Sequence, residues 1–199
     1  MFLIRTPALI CWLATVLLTG CQTGKVRSSI GTRSSEPTAA PSIRNNCASL
    51  LYELVSEEKH LSKLLLVKRE SDPLEILVKE ISSATGRHAD ILETMAKQDN
   101  SLNLSATLLP DGEAATRKRI AKTKQDQLLH SSGAEFEFAL LLTQVEALSY
   151  GSHLAWVAAD SSSNNHQAEQ LRTISAELQQ LHGKVIRQLK LNASRSAVK

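Results

Sequence analysis

The sequence predicts an all-α protein, an antiparallel four-helix bundle with one additional short helix, placed after a disordered tether. From about residue 46 onwards, apolar residues recur at spacings of three and four, which is the period of one helix face. No stretch of useful length in this region alternates between apolar and polar residues, as a half-buried strand would. The four long amphipathic segments are joined by short connections, which favours antiparallel neighbours.

The first two predicted helices are amphipathic. The first spans about residues 46–71, and its apolar stripe consists of Cys47, Leu50, Leu51, Leu54, Leu61 and Leu65. The second spans about residues 72–98 and begins with Asp72 and Pro73, because proline is favoured in the first helical turn. Glu75, three residues after Asp72, completes a capping-box pattern. Residues 99–112 are predicted to form a loop.

The remaining three helices differ in their apolar surface. The third, about residues 113–130, is mostly polar, and its basic segment 114–125 is either a solvated face or a contact for lipid headgroups or an acidic partner. Ser132 and Glu135 form a second capping-box pattern before the fourth helix, about residues 134–159. This fourth helix is apolar around most of its circumference and is therefore predicted to be the most buried element. The fifth spans about residues 165–191.

The first twenty residues have the layout of a bacterial export signal. Arg5 precedes an uncharged apolar segment that is too short to span a bilayer as a helix. Leu18-Thr19-Gly20-Cys21 follows and resembles the lipobox of bacterial lipoproteins. The resemblance implies cleavage of residues 1–20 and a covalent diacylglycerol and N-acyl lipid on Cys21. Gln22, where an aspartate usually retains a lipoprotein at the inner membrane, implies an outer-membrane location facing the periplasm.

The rest of the chain divides into three predicted parts. Residues 21–45 are rich in Ser, Thr, Gly and Pro and predict a lipidated flexible linker, because they contain too few large apolar residues to offset the entropy of ordering. Residues 46–192 form the helical bundle domain, and residues 193–199 form a disordered tail. The formal net charge of +3 is too weak to indicate nucleic-acid binding.

Cysteine usage bears on the redox chemistry of the mature chain. Cys11 leaves with the signal peptide and Cys21 carries the lipid, so Cys47 has no partner for an intramolecular disulfide. Cys47 lies on the apolar stripe of the first helix, which favours burial. The alternative is a thiol that is available to pair with another chain.

The fourth predicted helix carries a second resemblance. The stretch "SSGAEFEFALLLTQVEAL" resembles a ferritin-like family of bacterial envelope proteins, described as predicted outer-membrane proteins of unknown function, at Gly133, Ala134, Phe136, Glu137, Gln144 and Val145. His88 and His182 resemble histidines on the second and last helices of that family. Leu148 stands where the family has a histidine, and Arg87 where it has an aspartate. The resemblance extends over about residues 50–190 and implies a ferritin-like bundle.

Three ionisable residues, Glu58, His88 and His182, lie among apolar neighbours by helical phase. Carboxylate and imidazole groups that project into a bundle core form the metal sites of ferritin-like proteins. The di-iron arrangement needs Glu-x-x-His on each of two helices, whereas this chain has only Glu57-x-x-His60, with His60 directed toward solvent. The sequence leaves open whether the three residues converge to bind a metal or occupy hydrogen-bonded positions at the edge of the core.

No catalytic constellation is found in the sequence, which contains neither a nucleophile elbow nor a glycine-rich phosphate loop after a strand. The sequence therefore predicts a membrane-anchored periplasmic lipoprotein that acts as a non-enzymatic binding, assembly or envelope-stress module. Its expected partners are the lipid bilayer, through the anchor, and an envelope protein. The alternative prediction is a ferritin-like metal-binding domain, with or without redox activity, tethered to the outer membrane.

Overall fold

The computed structural model of the chain describes residues 42–66, 68, 71–105 and 109–196, without the side chains of residues 65, 66, 195 and 196. These residues belong to one compact unit that spans residues 39–199. Within the described ranges the secondary structure is helical, with no strand, so the prediction of an all-α protein is confirmed. The predicted signal peptide, the lipobox with Cys21, most of the linker 21–45 and the side chain of Leu65 lie outside the described residues. Residues 43–45, which were predicted to end the flexible linker, form instead the start of the first helix.

The described residues form five α-helices and one 3-10 helix. The α-helices are α1 (Ile43–Glu58), α2 (Asp72–Gln98), α3 (Asp111–His130), α4 (Gly133–Asp160) and α5 (Asn165–Ser196). The helix α2 has the predicted bounds, and α3 and α4 begin within two residues of the predicted positions. The helix α5 continues to Ser196, so that residues 193–196, which were expected in a disordered tail, are helical.

The largest difference from the predicted helices is the end of α1. The sequence predicts one helix from residue 46 to 71, but α1 ends at Glu58 and the 3-10 helix Leu61–Leu66 follows. At the break, the Ser82 hydroxyl of α2 donates a hydrogen bond to the carbonyl oxygen of Lys59 at 2.5 Å. This bond satisfies a carbonyl group near the helix end, where regular backbone partners are lost. A side chain from another helix therefore helps to determine where α1 ends.

The starts of α2 and α4 also differ from the predicted capping boxes. The N-cap residues are Ser71 and Ser132, and neither side chain makes a capping hydrogen bond. The backbone N–H of Ser71 donates instead to Glu137 Oε1 of α4 at 2.6 Å. Pro73 lies in the first turn of α2, as predicted. The start of α2 is therefore held by a contact from a distant helix as well as by its local sequence.

Four helices surround the core. The helix α4 packs most extensively on α5, α1 packs on α4 and α2, and α2 and α5 make a smaller contact. The Ser175 hydroxyl of α5 donates to the carbonyl oxygen of Ser152, and Asn192 further along α5 contacts Glu137 near the start of α4. These contacts show that α4 and α5 run antiparallel. The structure is a helical bundle, and its ferritin-like character stays a prediction.

The core is closely packed where α1, α4 and α5 meet at Gly151. A Cβ atom at this position would lie 2.8 Å from Leu54 Cδ2 and 3.3 Å from Leu178 Cδ1. Glycine therefore permits a close approach of the three helices, at the conformational cost of glycine in a helix interior. In the described residues, no helix is both long and apolar enough to cross a membrane.

The helix α3 lies outside this ring and has no buried residue. It contacts α4 mainly through polar groups: Lys124 pairs with Glu146, and Arg117 Nη1 donates a hydrogen bond to Tyr150 Oη at 2.6 Å. Leu128 is partly buried against the core. The helix therefore covers only part of the surface of α4.

Candidate functional site

The structure gives separate partners to two of the three ionisable residues considered as metal ligands. Glu58 accepts a hydrogen bond from Gln144 Nε2 of α4 at 2.9 Å, whereas His88 Nε2 of α2 lies 2.9 Å from Glu177 Oε2 of α5. His182 is partly buried on α5. Among the described residues, no three His, Cys, Asp or Glu side chains are arranged to hold a metal ion. Glu58, His88 and His182 therefore do not form a metal site in the described part of the chain. The sequence places each of them on an apolar helix face, but helical phase does not specify how deep in the bundle a residue lies.

The carboxyl group of Glu58 is enclosed between α1 and α4. The pKa of Glu58 is raised to about 7, mainly by burial, with the hydrogen bond from Gln144 opposing the increase and the charge of the neighbouring Glu57 adding to it. Gln144 Oε1 is buried and has no hydrogen-bond partner in the described part of the chain. Burial therefore favours the protonated form of Glu58 at pH values below about 7.

The imidazole of His88 is buried between α2 and α5. Burial lowers the pKa of His88, the hydrogen bond to Glu177 opposes this effect, and the Arg87 guanidinium adds to it. The imidazole is therefore neutral at pH 7. Nδ1 of His88 has no hydrogen-bond partner within the described residues. The contact between His88 Nε2 and Glu177 therefore joins α2 to α5.

A shallow groove of about 320 Å³ lies along the small contact between α2 and α5. Its charged lining consists of Glu80, Arg87, Glu177 and Lys184. Lys184 pairs with Glu80, and Arg87 Nη2 lies 3.8 Å from Glu177 Oε2. The positive and negative groups are thus paired with each other across the two helices. The groove therefore has no unbalanced charge with which to select an ion.

Cys47 and the basic segment of α3 have environments close to those expected. Cys47 is a free cysteine, partly buried and packed against the core. Burial raises the pKa of the Cys47 thiol, which reduces its reactive thiolate form at neutral pH. In the basic segment, Arg117 pairs with Glu113 and Lys122 with Asp126 on exposed helix surface. This is the arrangement of a solvated helix face.

The clearest unpredicted surface feature is an exposed apolar face on α4. Phe138, Leu142 and Trp156 are 53%, 43% and 51% exposed, and Val145 and Ser149 between them are partly buried. Their spacing places all five residues on one side of the helix. We call this surface, formed by Phe138, Leu142, Val145, Ser149 and Trp156, the α4 face. The expectation that α4 would be the most buried element therefore holds for its inner side but not for the α4 face.

Carboxylates lie along one side of the α4 face. The helix α4 contains no Lys or Arg, whereas Glu135, Glu146 and Asp160 are exposed and share one side of the helix by their spacing. Glu146 pairs with Lys124, and Asp160 Oδ1 lies 3.9 Å from Arg172 Nη2. Within the described residues Glu135 has no ion pair. An apolar strip with a polar border has the chemistry of a binding surface.

A signal for this surface exists in the sequence. A helix that is apolar around its circumference requires cover on every side. The third predicted helix has too few apolar residues, mainly Ile120, Ala121, Leu128 and Leu129, to supply that cover. The fourth predicted helix therefore has more apolar surface than the third can cover. From this difference, an uncovered side of the fourth helix could be predicted.

Comparison of the chain with protein-family models, with curated proteins and with solved structures gives no match.

Proposed function

We propose that the protein is a lipid-anchored periplasmic module of the outer membrane, without enzymatic activity, that uses the α4 face to bind an envelope protein. The observation that carries this proposal is the exposure of Phe138, Leu142 and Trp156 on one helix. Exposed apolar residues that lie singly need no explanation, whereas several on one side of a helix, beside polar groups, are typical of a protein interaction site. Aromatic residues are also enriched among the residues that dominate binding energy.

The predicted lipid anchor would hold the protein at the membrane, and the linker after it would set how far the helical domain extends from the lipid surface. Cys21 of the lipobox would hold the chain on the bilayer, and several acyl chains together give stable anchoring. The segment between Cys21 and Ser42 spans at most about 75 Å when fully extended. A body on such a tether contacts partners well away from the lipid surface. The tether also raises the effective concentration of the α4 face for any partner in the same membrane.

The structure favours binding over the alternative prediction of a metal-binding domain. Glu58 and His88 have hydrogen-bond partners on different helices, and the described residues contain no group of metal ligands. The charged groove between α2 and α5 has its charges paired internally. On the α4 face, Phe138, Leu142 and Trp156 are about half exposed within the described part of the chain.

Site-specific photo-crosslinking in cells tests the proposal. A photoreactive phenylalanine analogue replaces Phe138 or Trp156, and the control replaces Ile76 of α2, which is 68% exposed but lies on another helix. We expect positions 138 and 156 to yield an adduct with the same envelope protein and position 76 to yield none. Adducts at no position, or equally at all three, would contradict the proposal.

The anchor is tested in the same cells with the Cys21→Ser substitution. We expect this variant to lose incorporation of labelled fatty acid and to leave the membrane fraction, because the thioether site is absent. Cys47→Ser is the matched control and should retain both properties. Unchanged fatty-acid labelling of the Cys21→Ser chain would show that the lipobox prediction is wrong.

A further inference from the structure

The helix α3 is attached to the bundle at its two ends. Leu109, just before the helix, and Leu128, near its last residue, are partly buried against the core. Lys68 Nζ donates hydrogen bonds to the carbonyl oxygens of Leu129 and Ser131, at 2.8 and 2.7 Å, at the corner that leads into α4. Between these attachments α3 has no buried residue. The helix therefore lies on α4 like a strap, fixed at both ends and held between them by surface contacts.

Two side-chain contacts join α3 to α4 between these ends. Lys124 pairs with Glu146, and Arg117 Nη1 donates a hydrogen bond to Tyr150 Oη at 2.6 Å. The Arg117 guanidinium also lies 5.0 Å from the centre of the Tyr150 ring, within the range of a cation–π contact. The residue spacing places the two cations on one side of α3 and their two partners on one side of α4. The two contacts therefore form one row between the helices.

These contacts are weak enough for α3 to open. The side chains of Lys124 and Glu146 are 30% and 56% exposed, so water and dissolved ions compete with the ion pair. The contact of Arg117 with Tyr150 joins a cation to a neutral group, and salt therefore screens it less than it screens the ion pair. Opening of α3 breaks these contacts and exposes little apolar surface. The ion pair is thus the contact through which salt can control the opening.

Opening of α3 changes the surface of α4 next to the α4 face. Leu142, Glu146 and Tyr150 follow one another at steps of one helical turn and form a row along α4. Leu142 belongs to the α4 face, whereas Glu146 and Tyr150 are in contact with α3. When α3 is open, the Tyr150 ring, which is already 37% exposed, loses its contact with Arg117. The exposed aromatic and apolar surface of α4 is therefore larger.

We propose that α3 is a strap that the Lys124–Glu146 ion pair holds closed over α4. Release of the strap uncovers Tyr150 and enlarges the surface that α4 offers to a partner next to the α4 face. The control by charge is a property of this chain alone, whereas the effect on a partner rests on the proposed function. A partner that binds the enlarged surface shifts α3 toward the open state, because a ligand favours the state to which it binds better.

Hydrogen exchange of the chain from residue 21 onwards, with Cys21→Ser, measures the opening of α3. This chain contains the whole compact unit of residues 39–199. Each exchange rate is divided by that of the same amides in the unfolded chain at the same salt concentration, which removes the effect of salt on the exchange chemistry. We expect the α3 amides to exchange about threefold faster in about 1 M than in about 0.01 M sodium chloride, because salt screens the ion pair. The amides in the middle of α4 should show no such increase.

Two substitutions separate the ion pair from the second contact. Glu146→Gln should make the α3 amides exchange about threefold faster at low salt and should remove the salt dependence, because the amide carries no charge. Tyr150→Phe removes the acceptor of Arg117 but leaves the ion pair, so exchange should be faster and should still depend on salt. Glu75→Gln removes the exposed ion pair with Lys79 in α2 and is the matched control, which should leave α3 unchanged.

Three results of this experiment would overturn the inference. Salt dependence that persists in Glu146→Gln would show that charges within α3, such as the pairs of Arg117 with Glu113 and Lys122 with Asp126, control the opening. Slower exchange of α3 at high salt would show that repulsion among its own cations outweighs the ion pair. Exchange of α3 at the same rate as the middle of α4 in every variant would show that it does not open separately.

The in-cell crosslink tests the effect on a partner. The substitution Lys124→Gln breaks the ion pair from the α3 side and leaves every residue of α4 unchanged, and Lys79→Gln in α2 is the matched control. We expect Lys124→Gln to raise the yield of the adduct at position 138 about twofold or more, because more of the chain has α3 open. Lys79→Gln should leave the yield unchanged.

The two experiments separate failure of this inference from failure of the proposed function. An adduct at position 138 whose yield is the same in Lys124→Gln and Lys79→Gln ends the inference and leaves the proposed function standing. Absence of an adduct at positions 138 and 156 ends the proposed function and, with it, the effect of α3 on a partner. Hydrogen exchange then still decides whether the ion pair holds α3 closed.

Discussion

The pair formed by Glu58 and Gln144 is a buried polar contact that links stability to pH. Glu58 has a pKa of about 7 in the folded chain, above the ordinary value of 4.5, mainly because its carboxyl group is buried. Between these two values the folded state keeps a proton that the unfolded state has lost. The free energy of unfolding therefore falls as the pH rises from about 4.5 to about 7. At higher pH, Glu58 causes no further change in the free energy of unfolding.

Glu58→Gln should remove this pH dependence, because the amide stays neutral. We expect the variant to be more stable than the natural chain at about pH 8, by about 1–3 kcal/mol, and to differ little from it at about pH 4.5. Denaturant unfolding followed by circular dichroism at both pH values measures the difference. Glu53→Gln, at an exposed position five residues earlier in α1, is the control. An unchanged pH slope in Glu58→Gln would show that Glu58 is ionised in the folded chain.

At the scale of elements, α3 and α4 differ most in how many of their residues are buried. The helix α3 has no buried residue, whereas the buried residues of α4 include Leu140, Leu148 and Ala155. An isolated helix of the length of α3 is marginally stable in water, because most helical stability in proteins comes from packing. The polar contacts of α3 with α4 add little, since exposed ion pairs contribute about 0–1 kcal/mol. The helix α3 should therefore open independently of the bundle.

Hydrogen exchange tests the independence of α3. We expect the amides of α3 to exchange much faster than those in the middle of α4, because local opening of α3 exposes little buried apolar surface beyond that of Leu128. Ala121→Pro, at an exposed position of α3, should abolish that helix yet change the global free energy of unfolding by less than about 1 kcal/mol. The matched Ala155→Pro in α4 should prevent folding. Equal protection of α3 and α4 would show that the helices unfold together.

At the scale of the whole molecule, Arg44 joins three helices at one end of the bundle. Its Nη1 lies 3.0 Å from Asp99 Oδ2, next to the end of α2, and 3.2 Å from Gln167 Oε1, near the start of α5. Its Nη2 donates to Ser101 Oγ at 2.8 Å. Hydrogen bonds from Ser101 and Gln167, and the charge of Arg44, lower the pKa of Asp99. Asp99 therefore remains a carboxylate, and it accepts hydrogen bonds from Arg44, Ser101 and Gln167.

Arg44→Ala should destabilise the whole bundle, because it leaves Asp99 and Gln167 without the donor that joins them to α1. We expect the thermal midpoint to fall by roughly 5–10 °C, measured by calorimetry or circular dichroism. Arg87→Ala, which removes an exposed arginine that lies 3.8 Å from Glu177, should lower the midpoint by less than about 2 °C. Equal effects of the two substitutions would mean that Arg44 does not hold the helices together.

Most of the helical organisation could be predicted from the sequence. The bounds of α2 and the starts of α4 and α5 follow from local information: the period of the apolar residues, Pro73, and the breaks before Gly133 and Asn165. The exposed position of His60 followed from helical phase, and the structure bears it out. The lipobox ending at Cys21 is also a local pattern, and lipid attachment there stays a prediction.

The tertiary structure decided the end of α1, the partner of His88 and the exposure of the α4 face. The bond from Ser82 to Lys59 and the bond from His88 to Glu177 each join different parts of the chain, the second across 89 residues. Phe138 and Trp156 belong to a helix whose apolar residues favour burial on every side. Helical phase specifies the side of a helix on which a residue lies, but only the packing of the other helices determines its depth and whether that side is covered.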